Sequence, residues 1–331
     1  MFIDFNKEKF MSNLTKIGVI GAGNVGAAIV NALVLRNIGK EIVLFNRDKN
    51  KAISEAMDID DTIPLLSDMK IDATNTYKDL SDCGVIAITV GARQKSGETR
   101  LELLSRNANL MQSIIKELDK YAPEAILIMV SNPVDILTRI AQESTKRDKK
   151  KVFGSGTVLD TSRLRYQLGK ELMVNKKNVH VHVVGEHGDS EFVIWSSAMI
   201  GSIKIDQFPL PKGANLETIK NNTMDMVRTR AYQIIEKKGY TNYGVAVAVA
   251  KLIQCVIRDE RKIFSVSVGA NEEYNLYEGL VLSLPCIIGK EGIEHRLVLS
   301  YNKDEEQKLL NAANSLNEAY KGVKEINKKL L

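Results

Sequence analysis

Six residues near the start of the chain, Gly21-Ala22-Gly23-Asn24-Val25-Gly26, restrict the fold more than any other segment. They follow the short apolar run Lys16–Ile20 and lead into Ala27–Arg36, which has helical spacing. Glycines at such a junction do separate jobs. Gly21 permits the tight turn, Gly23 lets a diphosphate lie against the main chain, and Gly26 lets helix and strand pack closely. Main-chain N–H groups at the helix start then face the phosphates. The arrangement points to a dinucleotide site.

The rest of the first half agrees with this reading. Short β-branched runs at Glu41–Phe45, Gly84–Val90 and Ala125–Val130 alternate with helical stretches at Lys51–Asp58 and Leu103–Tyr121. Alternation of this kind implies an α/β fold, a Rossmann-type doubly wound parallel sheet with helices on both faces. A polar run, Thr145–Lys151, precedes a short strand at Val152–Phe153, and past about residue 155 the texture changes. A helix at Asp160–Leu172 and a strand-like stretch at Val179–Val184 come first, followed by helices at Leu216–Lys237 and Tyr243–Ile257. Strand-like Ile263–Val268 and Tyr274–Ser283 then suggest antiparallel pairing before a charged helix, Asp304–Leu330. The expected organisation is an N-terminal extension at 1–13, a dinucleotide-binding domain at 14–155 and a mixed α/β catalytic or substrate domain at 156–331.

Bulk properties exclude several classes. An apolar share of 44% suits a globular chain. The 46 Lys and Arg against 41 Asp and Glu give a net charge of +5, interspersed along the chain, which favours small anionic ligands over nucleic acid. Cys83, Cys255 and Cys286 are too few and too scattered for a disulfide framework or a metal cage, and suit a reducing compartment. Met1 to Asn13 lacks the apolar core of a secretory signal, and no run approaches the length of a membrane helix. A soluble, cytoplasmic protein is expected, with no membrane and no nucleic-acid partner.

The second strand ends in Phe45-Asn46-Arg47, where a dinucleotide site of this type carries an acid for the adenosine ribose. Neutral Asn46 neither attracts those hydroxyls as strongly nor repels a 2′-phosphate. Arg47 is either a solvated loop residue or a partner for such a phosphate. NAD with relaxed discrimination against NADP is the expectation.

Three further clusters lack an obvious structural purpose. They are the loop Gly91-Ala92-Arg93-Gln94-Lys95-Ser96-Gly97-Glu98-Thr99-Arg100, the segment Leu159-Asp160-Thr161-Ser162-Arg163-Leu164-Arg165, and Gly185-Glu186-His187-Gly188-Asp189-Ser190. Together, in order and spacing from about Lys16 to the C-terminus, they resemble the lactate/malate dehydrogenase family, in particular its bacterial L-lactate dehydrogenase branch. The resemblance implies reversible hydride transfer between NAD(H) and L-lactate or pyruvate. His187 resembles the acid–base histidine and Asp160 the carboxylate that orients its ring. Arg163, one helical turn from Asp160, resembles the arginine that grips the substrate carboxylate at two points, and Arg100 the loop arginine that polarises the carbonyl. Asn132, in Ser131-Asn132-Pro133-Val134-Asp135, matches a residue contacting substrate and the cofactor carboxamide region. The resemblance also assigns cofactor contacts to Val25, Asn46, Lys51, Tyr77, Gly91, Ala92, Arg93, Ser113, Val130 and Ser155. Neither His182 nor His295 receives a role, and no metal is implied.

Substrate and regulation follow from finer matches. Gln94 stands where malate-type members carry an arginine, so a second substrate carboxylate would be left unpaired at a cost of a few kcal/mol. Thr241, in Gly239-Tyr240-Thr241, resembles the threonine beside the pyruvate methyl. Arg165 and His180 resemble the pair that binds fructose 1,6-bisphosphate at a subunit interface, with His180 seven residues before His187. A homotetramer activated by that sugar bisphosphate is expected. The alternatives are a malate or branched-chain 2-hydroxyacid dehydrogenase, or a non-catalytic dinucleotide-binding protein.

Overall fold

The computed structural model describes residues 15–66, 68–92, 97–270, 274 and 276–330, without the side chains of Arg100 and of 327–330. The extension expected at 1–13 lies outside the described residues.

The first half builds β1 (Lys16–Ile20), α1 (Asn24–Leu35), β2 (Glu41–Phe45), α2 (Lys49–Asp60), β3 (Lys70–Thr74), β4 (Val85–Ile88), α3 (Arg100–Tyr121), β5 (Ile126–Met129), α4 (Val134–Ser144) and β6 (Val152–Gly154). The six strands pair in parallel in the order β3-β2-β1-β4-β5-β6. Every residue of β4 and β5 is buried, as helices on both faces require of a parallel sheet. The order reverses beside β1, which places the glycine loop at the crevice where such sheets bind ligands.

The second half adds α5 (Val158–Glu171), five two-residue strands, β7 (Val179–His180), β8 (Val183–Val184), β9 (Phe192–Val193), β10 (Met199–Ile200) and β11 (Ile203–Lys204), and then α6 (Leu216–Lys238) and α7 (Tyr243–Ile257). It closes with β12 (Lys262–Gly269), β13 (Val281–Gly289), β14 (Gly292–Arg296) and α8 (Lys303–Leu330). These last three strands do not form a sheet of their own. β12 pairs antiparallel with β6 at Ser267 opposite Gly154, so one nine-stranded sheet runs through both halves. Gly154 makes this approach possible, since a Cβ there would lie 2.5 Å from Thr138 Oγ1 and 2.7 Å from Ser267 Cβ.

Two expectations need correction. The strand expected at Tyr274–Ser283 is β13, which starts only at Val281; Tyr274 is buried, with its hydroxyl on the Leu297 carbonyl at 2.6 Å. The stretch Val179–Val184 breaks in two because β7 pairs with β10 while β8 pairs with β9. A large core encloses the sheet, and a smaller one, with Leu164, Leu168, Val179, Val183, Ile219 and Val227, joins α5 and α6 to the short strands. No helix among the described residues is long and apolar enough to cross a membrane.

Candidate active site

Two features converge on the crevice at the carboxyl ends of the parallel strands. The first is the glycine turn. Gly21 has φ +110°, and a Cβ there would sit 2.6 Å from Thr89 Oγ1; one at Gly26 would sit 1.7 Å from the Gly21 carbonyl oxygen. A Cβ at Gly23 would meet nothing within 4 Å, so the turn is packed beneath and open above. Gly23 caps α1 without a side-chain hydrogen bond, which leaves the first-turn N–H groups for a ligand. A diphosphate fits such a cradle.

Asn46 closes one side of it. Its Oδ1 accepts from Ala22 N–H at 3.4 Å and its Nδ2 donates to the Asp48 carbonyl at 3.0 Å. Tyr77 lies against Phe45, with ring centroids 4.3 Å apart. Val25 is half-buried and Lys51 is exposed on α2. On the far side of β1, Ala92 N–H donates to Asn107 Oδ1 at 2.7 Å beside exposed Gly91, and Val130 and Ser155 are buried at the ends of β5 and β6. Ser113 is exposed along α3, with its hydroxyl on the Leu110 carbonyl at 2.7 Å.

The second feature is a hydrogen-bonded cluster around Asp160, in the first turn of α5. Its Oδ2 accepts from His187 Nδ1 at 2.8 Å and its Oδ1 from Arg163 Nη1 at 3.0 Å. One carboxylate thus holds a ring and a guanidinium from opposite sides. The Asp160 side chain is only 4% exposed, whereas that of His187 is 27% exposed and can meet a ligand. Burial alone would lower the imidazolium of His187. The hydrogen bond and charge of Asp160, with the charges of Asp135 and Glu191, outweigh it and raise the group to about 9. Burial pushes the Asp160 carboxyl the other way, but His187 and Arg163 hold it below the usual carboxylate range.

Main-chain anchors set the position of His187. Gly185, at φ +90°, exchanges two backbone hydrogen bonds with Ser283 of β13, at 3.0 and 2.8 Å. The His187 N–H donates to Asp135 Oδ2 at 2.7 Å, and the Ser267 hydroxyl to Asp135 Oδ1 at 2.6 Å. Asp135 is fully buried at the start of α4. Burial raises its carboxyl to about 6, against the opposing effect of those two bonds. Asp135, Ser267 and the buried Glu191 are site residues that the sequence reading missed. Asp135 had a signal, as an acid three residues after Asn132 at the start of an apolar helical stretch. Glu191 had none, because Gly188-Asp189-Ser190-Glu191 reads as a solvated loop.

Other expected residues are placed less fully. Arg93 and Gln94 lie outside the described residues, and Arg100 opens α3 with its side chain outside them. The end of their loop is fastened by Arg106, whose Nε and Nη2 donate to the two Glu98 oxygens at 2.9 and 2.8 Å. Thr99 and Glu102 form a reciprocal cap at the start of α3. Asn132 is exposed at the end of β5, beside Pro133. Thr241 is half-buried between α6 and α7. Three residues on, a Cβ at Gly244 would touch Leu159 at 3.0 Å, so this turn lies against the start of α5. Arg165 and His180 flank His182, whose imidazolium is lowered to about 4 by burial and then by their two charges. Arg165 itself donates twice to the Val181 carbonyl, at 3.2 and 3.1 Å, and His180 is exposed. The group Asp160, His187 and Glu191 is compact enough for a metal ion, but the bond between Asp160 and His187 commits one ligand atom of each. Cavity size does not single this site out, since a cavity of about 750 Å³ lined by Arg139, Asp148 and Arg296 lies elsewhere.

Comparison with known proteins agrees with the geometry. Residues 15–154 match the lactate/malate dehydrogenase NAD binding domain, and residues 157–327 the alpha/beta C-terminal domain of the same family. An L-lactate dehydrogenase of Clostridium botulinum (strain Loch Maree / Type A3) is 41% identical over 310 residues, covering 92% of this chain and 95% of that protein. L-lactate dehydrogenase 1 of Clostridium acetobutylicum is 39% identical, with 93% and 98% covered. The crystal structure of a lactate dehydrogenase from a Medee basin deep-sea metagenome library superposes with a TM-score of 0.89 at 36% identity, covering 93% of this chain and 98% of that one. The minor L-lactate dehydrogenase of Enterococcus mundtii gives 0.88 at 30% identity, with 92% and 97% covered. A Rossmann half that can cradle a diphosphate, a charged histidine beside it and this agreement along the whole chain place the protein in the lactate/malate dehydrogenase family.

Proposed function

We propose that the protein is an NAD-dependent L-lactate dehydrogenase, with His187 exchanging the proton. One observation carries the reading: the Asp160 carboxylate binds His187 Nδ1 at 2.8 Å and Arg163 at 3.0 Å, so a proton donor and an anion-binding group share one rigid support. Reduction of a 2-oxo acid needs a proton at the carbonyl oxygen and a grip on the carboxylate. With Nδ1 tied to Asp160, the other ring nitrogen of His187 serves the oxygen, and the raised imidazolium keeps it charged at neutral pH. Arg163 receives the carboxylate through its remaining N–H groups. Bound in the glycine cradle, the nicotinamide cofactor supplies the hydride in one direction and accepts it in the other. Gly21, Gly23, Val25, Gly26, Asn46, Lys51 and Tyr77 would hold its adenosine diphosphate end, with Arg93 at the pyrophosphate. Gly91, Ala92, Ser113, Val130, Asn132 and Ser155 would make the remaining contacts. Arg100 would polarise the carbonyl, with Gln94 and Thr241 facing the methyl group.

Steady-state rates with pyruvate and oxaloacetate, each with NADH and NADPH, test this. A higher kcat/KM for pyruvate supports it, and a preference for oxaloacetate overturns it. Asn46 supports relaxed cofactor choice, since a neutral amide stands at the ribose end of the cradle; a preference for NADH of a thousandfold or more would end that idea. The flanks of α5 support a site for fructose 1,6-bisphosphate. Arg165 and His180 act on one buried imidazole, and a cavity of about 640 Å³ there is lined by Arg165, Lys176, Lys177, Arg230 and Lys251. In a homotetramer this face would lie near a second subunit. A lower KM for pyruvate on adding the bisphosphate is the expected result, and an unchanged KM removes the claim. The three buried free thiols, Cys83, Cys255 and Cys286, suit a cytoplasmic location.

A further inference from the structure

The reaction scheme leaves Glu191 without a task. It immediately precedes β9 and is only 4% exposed, yet a carboxylate oxygen of Glu191, a ring nitrogen of His187 and an oxygen of Asp160 all lie within 4.8 Å of one another. An acid buried against another acid is costly to ionise, so packing alone would be served better by an uncharged residue. Arg228 Nη2 donates to the Glu191 main-chain oxygen at 2.9 Å, and its charge favours the ionised carboxyl without outweighing burial. The charged groups facing Glu191 are Asp160 and Arg163 on α5, Arg228 on α6 and His187 from its loop; Asp135 on α4 acts on the same imidazole.

We propose that Glu191 is a positioning residue for the proton: as pH rises it releases its proton before His187 does, and the charge it gains keeps the proton of the ring in place. This rests on His187 as the acid–base group. The order of release follows from the surroundings. His187 keeps its proton through the hydrogen bond to the Asp160 carboxylate at 2.8 Å, whereas burial, and then the charge of Asp160, push the Glu191 carboxyl up to about 8. The released proton goes to water and no other bond changes. Once ionised, Glu191 adds a negative charge beside the ring, which makes the imidazolium harder to deprotonate. An acid placed in this way widens the alkaline range over which a ketone can still receive its proton.

Glu191→Gln removes the ionisable group at nearly constant volume. In this variant the alkaline limb of kcat/KM for pyruvate reduction should move down by about one pH unit, which is roughly tenfold in rate above the limb. The acidic limb for lactate oxidation, which needs the neutral ring, should move down with it. A merely structural role would lower both plateaus without moving either limb. The ¹⁵N titration of the His187 ring in the absence of substrate should fall by the same amount, and Glu191→Asp should restore much of it. An unmoved ring titration overturns the inference. A ring titration that moves while both limbs stay fixed supports the coupling and overturns His187 as the acid–base group. If Glu191→Gln does not fold, ¹³C carboxyl titration of the parent protein decides: ionisation of Glu191 near 8 supports the proposal, and ionisation below about 5 refutes it.

Discussion

Asp160→Asn keeps the shape at the centre of the site and removes the charge that both cations share. His187 is held at about 9 against an ordinary 6.5, which corresponds to roughly 3 kcal/mol in favour of the charged ring. Without that charge, burial dominates and the ring falls toward or below its ordinary value. At pH 7.5 fewer than about one ring in ten would then carry the proton. A tenfold loss of kcat/KM for pyruvate reduction follows from protonation alone. Loss of ring orientation takes the total to about 10²–10⁴-fold, the usual weight of a general acid. The assay is kcat/KM against pH for parent and variant, and the alkaline limb should move from near 9 to below about 6.5. Stability should follow a definite sign. His187 binds its proton more tightly when folded, so its contribution is complete below pH 6.5 and is lost as pH rises through about 9. Asp160 is held below its ordinary 3.8, so from its side the contribution is present above that value and is lost as pH falls further. The difference in unfolding free energy between parent and variant should therefore be greatest between about pH 4 and 6.5 and should shrink toward pH 9. An alkaline limb that stays in place would refute the argument that Asp160 charges the ring.

Gly26→Ala places a Cβ 1.7 Å from the Gly21 carbonyl, so the turn must open; NADH affinity read by fluorescence should fall at least about tenfold and Tm should drop, while unchanged values would show that the turn is not the cradle. Gln94→Arg should shift selectivity toward oxaloacetate, and a variant that keeps the parent's pyruvate preference would disprove the role of Gln94. His182, held neutral near 4 with Nδ1 on Ser265 Oγ at 2.9 Å, should drain stability as pH falls from 6.5 toward 4, by up to roughly 3 kcal/mol. Denaturant melts at pH 7 and 5 should show about 2 kcal/mol of that loss in the parent but much less of it in His182→Gln; equal losses would count against the assignment.

Local patterns in the chain revealed the parallel half well. β1 and β2 begin and end where their apolar runs do, because a strand buried on both faces tolerates no polar interruption. The edges were harder. β3, Lys-Ile-Asp-Ala-Thr, is half polar because only one neighbour covers it, and β13 carries Pro285, a residue that argues against strand wherever its pairing is unknown. The helix Val134–Ser144 also escaped notice, and with it Asp135. At the site, the motif residues Asp160, Arg163 and His187 were legible because each lies in a recognisable pattern. Glu191, Ser267 and Ser283 were not, since their burial and partners arise only when distant strands meet.

Continuity of the sheet has a mechanical meaning. The loop bearing His187 is pinned to β13 through Gly185 and Ser283, and to β12 through Asp135 and Ser267, while the phosphate cradle hangs from β1 of the same nine strands. The cradle and the acid are thus mounted on one continuous sheet. Severing the chain after residue 155 would not release a tidy nucleotide-binding module, because it would strip β12 from β6 and leave a bare edge ready to pair with another molecule.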